Sequence, residues 1–138
     1  MSSTDEKIAF LTEHLSYEVV MLRYTHTQLA RDIHHQLQWN ALFESFALHA
    51  SNLYDFFTND KDARNFKARD FAISFQAKHK EKVRGTINSI NSQVLHLNKS
   101  SESEGARKVN IDRSDEVFRW IEENVVSFAN DLLGQILC

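Results

Sequence analysis

The chain has 138 residues and 42 % hydrophobic side chains, which suits one domain with one core that folds without disulfides or metals. It holds no Pro and only three Gly, too few for the tight turns of an all-β domain. Net charge is −3 but uneven: residues 61–84 carry 8 of the 16 Lys and Arg against 3 acids, and the segments on either side are acidic.

The N-terminus has no basic start and no long apolar run, so no signal peptide is expected, and no stretch of about 18 apolar residues predicts a membrane span. The lone cysteine, Cys138, excludes an internal disulfide and a cysteine-type zinc site. A reduced, cytoplasmic location and no membrane partner are the expectations.

Ser3-x-x-Glu6 reads as a capping box opening the first helix. Ile8, Leu11, Leu15, Leu22 and Leu29 follow at helical spacing, and Ser16 can cap a second start, so 5–14 and 17–31 are predicted as two helices with a bend. Glu18 and His26 intrude on this stripe and need buried partners. Residues 32–38 read as a polar connection. Residues 39–57 should form the central buried helix, with Leu42, Phe46, His49, Leu53 and Phe56 on one stripe and Asn40, Glu44, Ser51 and Asp55 opposite.

Residues 58–67 lack periodicity and are predicted to be a loop. Ala68 to Phe75 should be a short helix burying Phe71 and Phe75. Lys78 to Leu97 should be a long one, with its core stripe on Val83, Ile87, Ile90, Val94 and Leu97. The stretch 98–112, rich in Ser, Glu, Lys and Arg around Gly105, reads as a mobile loop. Ser114 reads as the N-cap of the last helix, with Asp115 and Glu116 in its first turn. That helix should bury Val117, Ile121, Val125, Phe128, Leu132 and Ile136. With no internal repeat and no linker, the expectation is one all-α domain over 1–138, an antiparallel bundle of about five helices.

Seven histidines invite a metal reading, but helical di-metal sites need Glu-x-x-His pairs and the chain has none. His14 and Glu18 are its only Glu/His pair at four-residue spacing, and His34 and His35 point different ways. No Gly-rich phosphate loop is present. No metal and no cofactor are therefore expected. His49 reads as a buried histidine bonded to another helix, or as a group whose pKa is open to catalytic tuning. Opposite the core stripe of residues 78–97, Gly85, Ser89, Ser92 and His96 fall on one line flanked by Asn88. This line is either plain surface or a seam where a second helix approaches closely. The basic band, with Lys80, Lys82 and Arg84 at its end, is either solvated or attracts phosphate.

Asn40-Ala-Leu-Phe-Glu-Ser-Phe-Ala-Leu-His49-Ala-Ser-Asn-Leu-Tyr-Asp-Phe-Phe57 resembles a segment of small bacterial helical proteins, where the pattern is close to Asn-Ala-Leu-x-Glu-Ser-Phe-x-x-His-Ala-Arg-Asn-Leu-x-Asp-Phe-Phe. Ile90-Asn-Ser-Gln-Val-Leu-His96-Leu-Asn98 resembles their later segment, and this group in turn is similar to the HEPN superfamily. The resemblance implies an up-and-down bundle, homodimers, and often metal-independent RNA cleavage by an Arg and a later His with four to six residues between them. In that chemistry Arg holds the scissile phosphate and His moves protons. His96 falls where that His would be and is the one catalytic candidate. The positions an Arg would fill hold Ser89, Ile90 and Asn91, and Ser51 stands where the family-like Arg would.

The expectation is thus a non-catalytic HEPN-like bundle that forms a homodimer and binds a protein or RNA partner. Its binding face would comprise Arg84, Lys80, Lys82, Ser89, Asn91 and Ser92, with His49, Glu18 and His26 as buried polar groups. One alternative is an HEPN-type ribonuclease, a toxin or defence component using His96. Another is a helical protein of unrelated function that binds a metal or a small ligand.

Overall fold

The computed structural model describes residues 4–31, 34–59, 65–95 and 104–137. Among these the chain is helical with no strands. Helix α1 (Thr4–Ala9) runs through a π-helical turn (Phe10–Leu15) into α2 (Ser16–Ala30). Helices α3 (Gln36–Thr58), α4 (Ala68–Phe71), α5 (Lys80–Leu95) and α6 (Glu104–Leu137) follow. Helix α3 packs on α2, α4, α5 and α6, while α2 and α5 each also pack on α6.

The pairings fix the directions. Glu18 meets His49 while His26 lies beside Phe46, so α2 and α3 are antiparallel. Ser51 meets Asn91 and Tyr54 meets Lys80, so α3 and α5 are antiparallel. Arg23 meets Glu122 and His26 meets Asp115, so α2 and α6 are antiparallel too. The result is an up-down-up-down bundle with α3 and α6 on its diagonal. The core runs through Leu22, Leu29, Trp39, Phe46, Leu53, Val83, Ile90, Val117 and Ile121. One end is closed by rings: Phe10, Phe56, Phe66 and Phe71 meet at 5.0–6.2 Å, and Phe128 meets Phe56 and Phe75.

Several boundaries differ from the expectation. Residues 4–30 follow one helical path, because Ala9, Leu15 and Ser16 all have αR torsions and Ser16 caps nothing. The wide π turn replaces the bend and shifts the register. Ile8 before it is therefore 54 % exposed rather than in the core, while Phe10, Leu11 and Leu15 pack against the core. The connection before α3 ends in a cap: the His35 ring Nδ1 accepts from the Leu37 N–H at 3.3 Å, and Gln38 Oε1 accepts from the His35 N–H at 3.3 Å. The ring nitrogen takes the place of the usual Ser or Asp oxygen.

Helix α4 stops at Phe71, but the following segment still buries Phe75. The Gln135 side chain holds it by accepting from the Ile73 N–H and donating to the Phe71 carbonyl. Residues 104–112 are helical rather than a loop, and Ser114 is interior to α6, its hydroxyl donating to the Asn110 carbonyl at 2.7 Å. No Pro or second Gly interrupts that stretch. Arg107 secures it by lying 5.1 Å over the Trp39 ring and donating to the His34 carbonyl. Ile136 is exposed instead of buried. Ser3, residues 60–64 and 98–103, Leu97 and Cys138 lie outside the described residues.

Phe46 is fully buried on α3 and Ile8 is exposed before the π turn. Phe46→Ala should cost about 3–5 kcal/mol in urea denaturation, from lost transfer energy and the cavity left behind. Ile8→Ala should stay within about 0.5 kcal/mol.

Candidate functional site

The polar groups of α2 and α3 meet where the stripe reading required partners. Glu18 projects from the first turn of α2 toward α3. Its Oε2 lies 2.6 Å from His49 Nδ1, and its Oε1 accepts from Asn52 Nδ2 at 3.0 Å. A carboxylate only accepts, so His49 carries a proton on Nδ1. His49 is buried, and the Tyr17 ring packs on it edge-on at 5.6 Å. The structure thus joins Glu18 and His49. His26 goes elsewhere: its ring stacks on Phe118 at 3.8 Å and its Nε2 lies 3.2 Å from Asp115 Oδ1. Asp115, interior to α6, also accepts from Arg119 Nε at 2.7 Å. Nearby, the Glu122 carboxylate grips Arg23 through both oxygens and raises the guanidinium pKa further.

Beside Glu18 opens a cleft of about 470 Å³ between the π turn, α3 and residues 65–67. Phe10, Phe56 and Phe66 supply its apolar wall, and His14, Glu18, Asn52, Asp55 and Lys67 its polar one. His49 lies behind Glu18 and does not line it. Lys67 is the surprise. Its side chain is only 6 % exposed and its ammonium sits 2.5 Å from Asp55 Oδ2, so this member of the basic band points inward. Asp55 Oδ1 accepts from Asn59 Nδ2 at 3.0 Å. Asn52 and Asp55, which the sequence pattern does not single out as site residues, line the cleft and follow His49 at three-residue steps along α3.

Helix α5 has the two faces expected of it. Val83, Ile87 and Ile90 are buried, with Val94 partly so. Gly85, Asn88 and Ser92 are exposed, and a Cβ at Gly85 meets nothing within 4 Å. The Ser89 hydroxyl folds back onto the Gly85 carbonyl at 3.0 Å. Lys80, Lys82 and Arg84 are exposed, with Arg84 3.7 Å from Glu81. Asn91 does not point outward alone; its Oδ1 accepts from Ser51 Oγ at 3.1 Å. His96, the catalytic candidate, lies outside the described residues.

At the start of α5, His79 has φ 54°, a left-handed torsion uncommon outside Gly. It is held there by Lys78, whose N–H donates to Asn124 Oδ1 and whose carbonyl accepts from Trp120 Nε1. Among the described residues, no three His, Cys, Asp or Glu side chains group to hold a metal ion. None of their helices is long and apolar enough to cross a membrane.

Fold and site together define an all-α antiparallel helical bundle with a mixed-charge, aromatic-walled cleft. No protein-family model, curated protein or solved structure matches the chain.

A double-mutant cycle between Glu18→Ala and His49→Ala should show about 1–3 kcal/mol of coupling in urea denaturation, the range for a buried charge-assisted hydrogen bond. The cycle between Glu18→Ala and His26→Ala should show none beyond error, because His26 is partnered by Asp115.

Proposed function

We propose that the chain is a non-catalytic, HEPN-like bundle of bacterial type that forms a homodimer through the outward face of α5 and binds a partner protein. The observation that carries this reading is the bond between Ser51 and Asn91. It brings the two HEPN-like segments together across α3 and α5. It also leaves neutral groups bonded to each other at two of the positions where related-looking proteins have Arg. Ile90, at a third such position, is buried, and Ser89 bonds to its own helix. No guanidinium on α5 is thus set to hold a phosphate one and a half turns before His96; Arg84 is the helix's only Arg, and it pairs with Glu81.

The dimer seam is supported by the row of Gly85, Ser89 and Ser92, which lets a second helix approach closely. A protein partner is favoured over RNA because the net charge is −3 and Lys67 is withdrawn from the basic band. Three large apolar residues, Tyr17, Val20 and Tyr24, also stand more than half exposed at helical spacing on α2.

Light scattering should give a dimer mass for the wild type and a monomer mass for Ser89→Arg, which places a long charged side chain in the seam. A wild-type monomer at high concentration would sink the seam. Incubation with total RNA in chelator should leave it intact with both wild type and His96→Ala. Cleavage by the wild type that His96→Ala abolishes would favour the ribonuclease reading instead.

A further inference from the structure

We propose that the cleft beside Glu18 binds a small organic ammonium compound with an apolar, aromatic body. This goes beyond the partner-binding reading and is independent of it. The cleft volume, about 470 Å³, is in the range that holds small ligands. Its two carboxylates, Glu18 and Asp55, are fixed before any ligand arrives. Glu18 is held by His49 and Asn52, and Asp55 by Lys67 and Asn59. Among the described residues each carboxylate oxygen accepts one bond, which leaves a second lone pair for a ligand N–H. Groups held in this way need no reordering on binding.

The sign of charge decides the ligand class. Among the described residues two carboxylates share the cleft with one lysine and the His14 ring, and the lysine is buried against Asp55, so an anion would meet more repulsion than attraction. The rings of Phe10, Phe56 and Phe66 offer flat apolar contact to the ligand body and negative faces to a cation. The same aromatic cluster already holds an ammonium on its outer side: Lys7 Nζ lies 5.9 Å from the Phe71 ring centre while donating to the Asp70 carbonyl. The π turn contributes by setting Phe10, His14 and Leu15 on the cleft wall.

The probe is 2-phenylethylammonium, titrated by calorimetry into the full chain at neutral pH, with 3-phenylpropionate as its anionic counterpart. The expected result is saturable binding of the cation, at least tenfold weaker binding of the anion, and at least tenfold loss of cation affinity in Glu18→Gln, measured well below that variant's lowered melting point, since Gln keeps one of the two acceptor oxygens. Should Glu18→Gln fail to fold, Phe66→Leu decides. It keeps apolar volume but removes a ring, and it should weaken the cation several-fold. Absence of saturation by the cation up to about 10 mM, which bounds binding energy near 3 kcal/mol, would overturn the proposal. So would anion binding as tight as the cation's, or cation affinity unchanged in the deciding variant.

Discussion

Helix α3 must bury one broad apolar face, and the rest of the bundle is arranged by that need. Nine of its 23 residues are buried, and they occupy one broad half of the helix surface, with Ala41, Glu44, Leu48 and Asn52 exposed on the other. A face that wide cannot be covered by one partner, so α2, α5, α6 and the aromatic end each cover a part of it. Burial alone would leave the partners free to slide, since apolar contact is not directional. The register comes from polar residues that α3 carries into the core. His49 can be buried only if its ring is bonded, and Glu18 is the group that bonds it. A slip of α2 by one turn would strand both, whereas it would cost the apolar surfaces far less.

The same device recurs at the other interfaces. Ser51 and Asn91 pin α5 to α3, and Arg23 and His26 pin α2 to α6 through Glu122 and Asp115. Lys78 is clamped on both backbone groups by Trp120 and Asn124, and this clamp sustains the left-handed torsion at His79. Gln135 near the end of α6 satisfies two backbone groups of the segment after α4. That segment has no regular ladder of its own, so without such side-chain partners its buried backbone would be unpaired. Aromatic rings fill the volume there, and amides and ion pairs choose the arrangement.

The fold class, the central helix and the core stripes of α3 and α5 were legible because apolar spacing records burial directly. Three things were not. The π turn leaves no mark in composition; it shows only when Ile8 falls out of the stripe it was assigned to. The start of α6 was misplaced because Ser114, Asp115 and Glu116 form a good N-cap pattern. Whether a serine caps or sits inside a helix depends on what precedes it, and there Arg107 finds Trp39 and His34. The cleft was missed because its charged members are neighbours only in space. Lys67 read as one more cation in a solvated band, and nothing local announces that Asp55, a dozen residues earlier, draws it inside.

The polar residues in the second half of α3 divide by the direction they take. His49, Asn52 and Asp55 are committed to α2 and the cleft, whereas Ser51 and Tyr54 turn to α5. A phosphate-cleaving site on α5 would need a cation on that side. What stands there is a hydroxyl bonded to an amide, each satisfying the other, with no net charge and little reason to reach for a ligand. On the opposite side Glu18 and Asp55 stand next to open volume. If this segment retains a chemical task, electrostatics places it with the cleft. The outward row of Gly85, Asn88 and Ser92 on α5, small and neutral, is then suited to contact through shape.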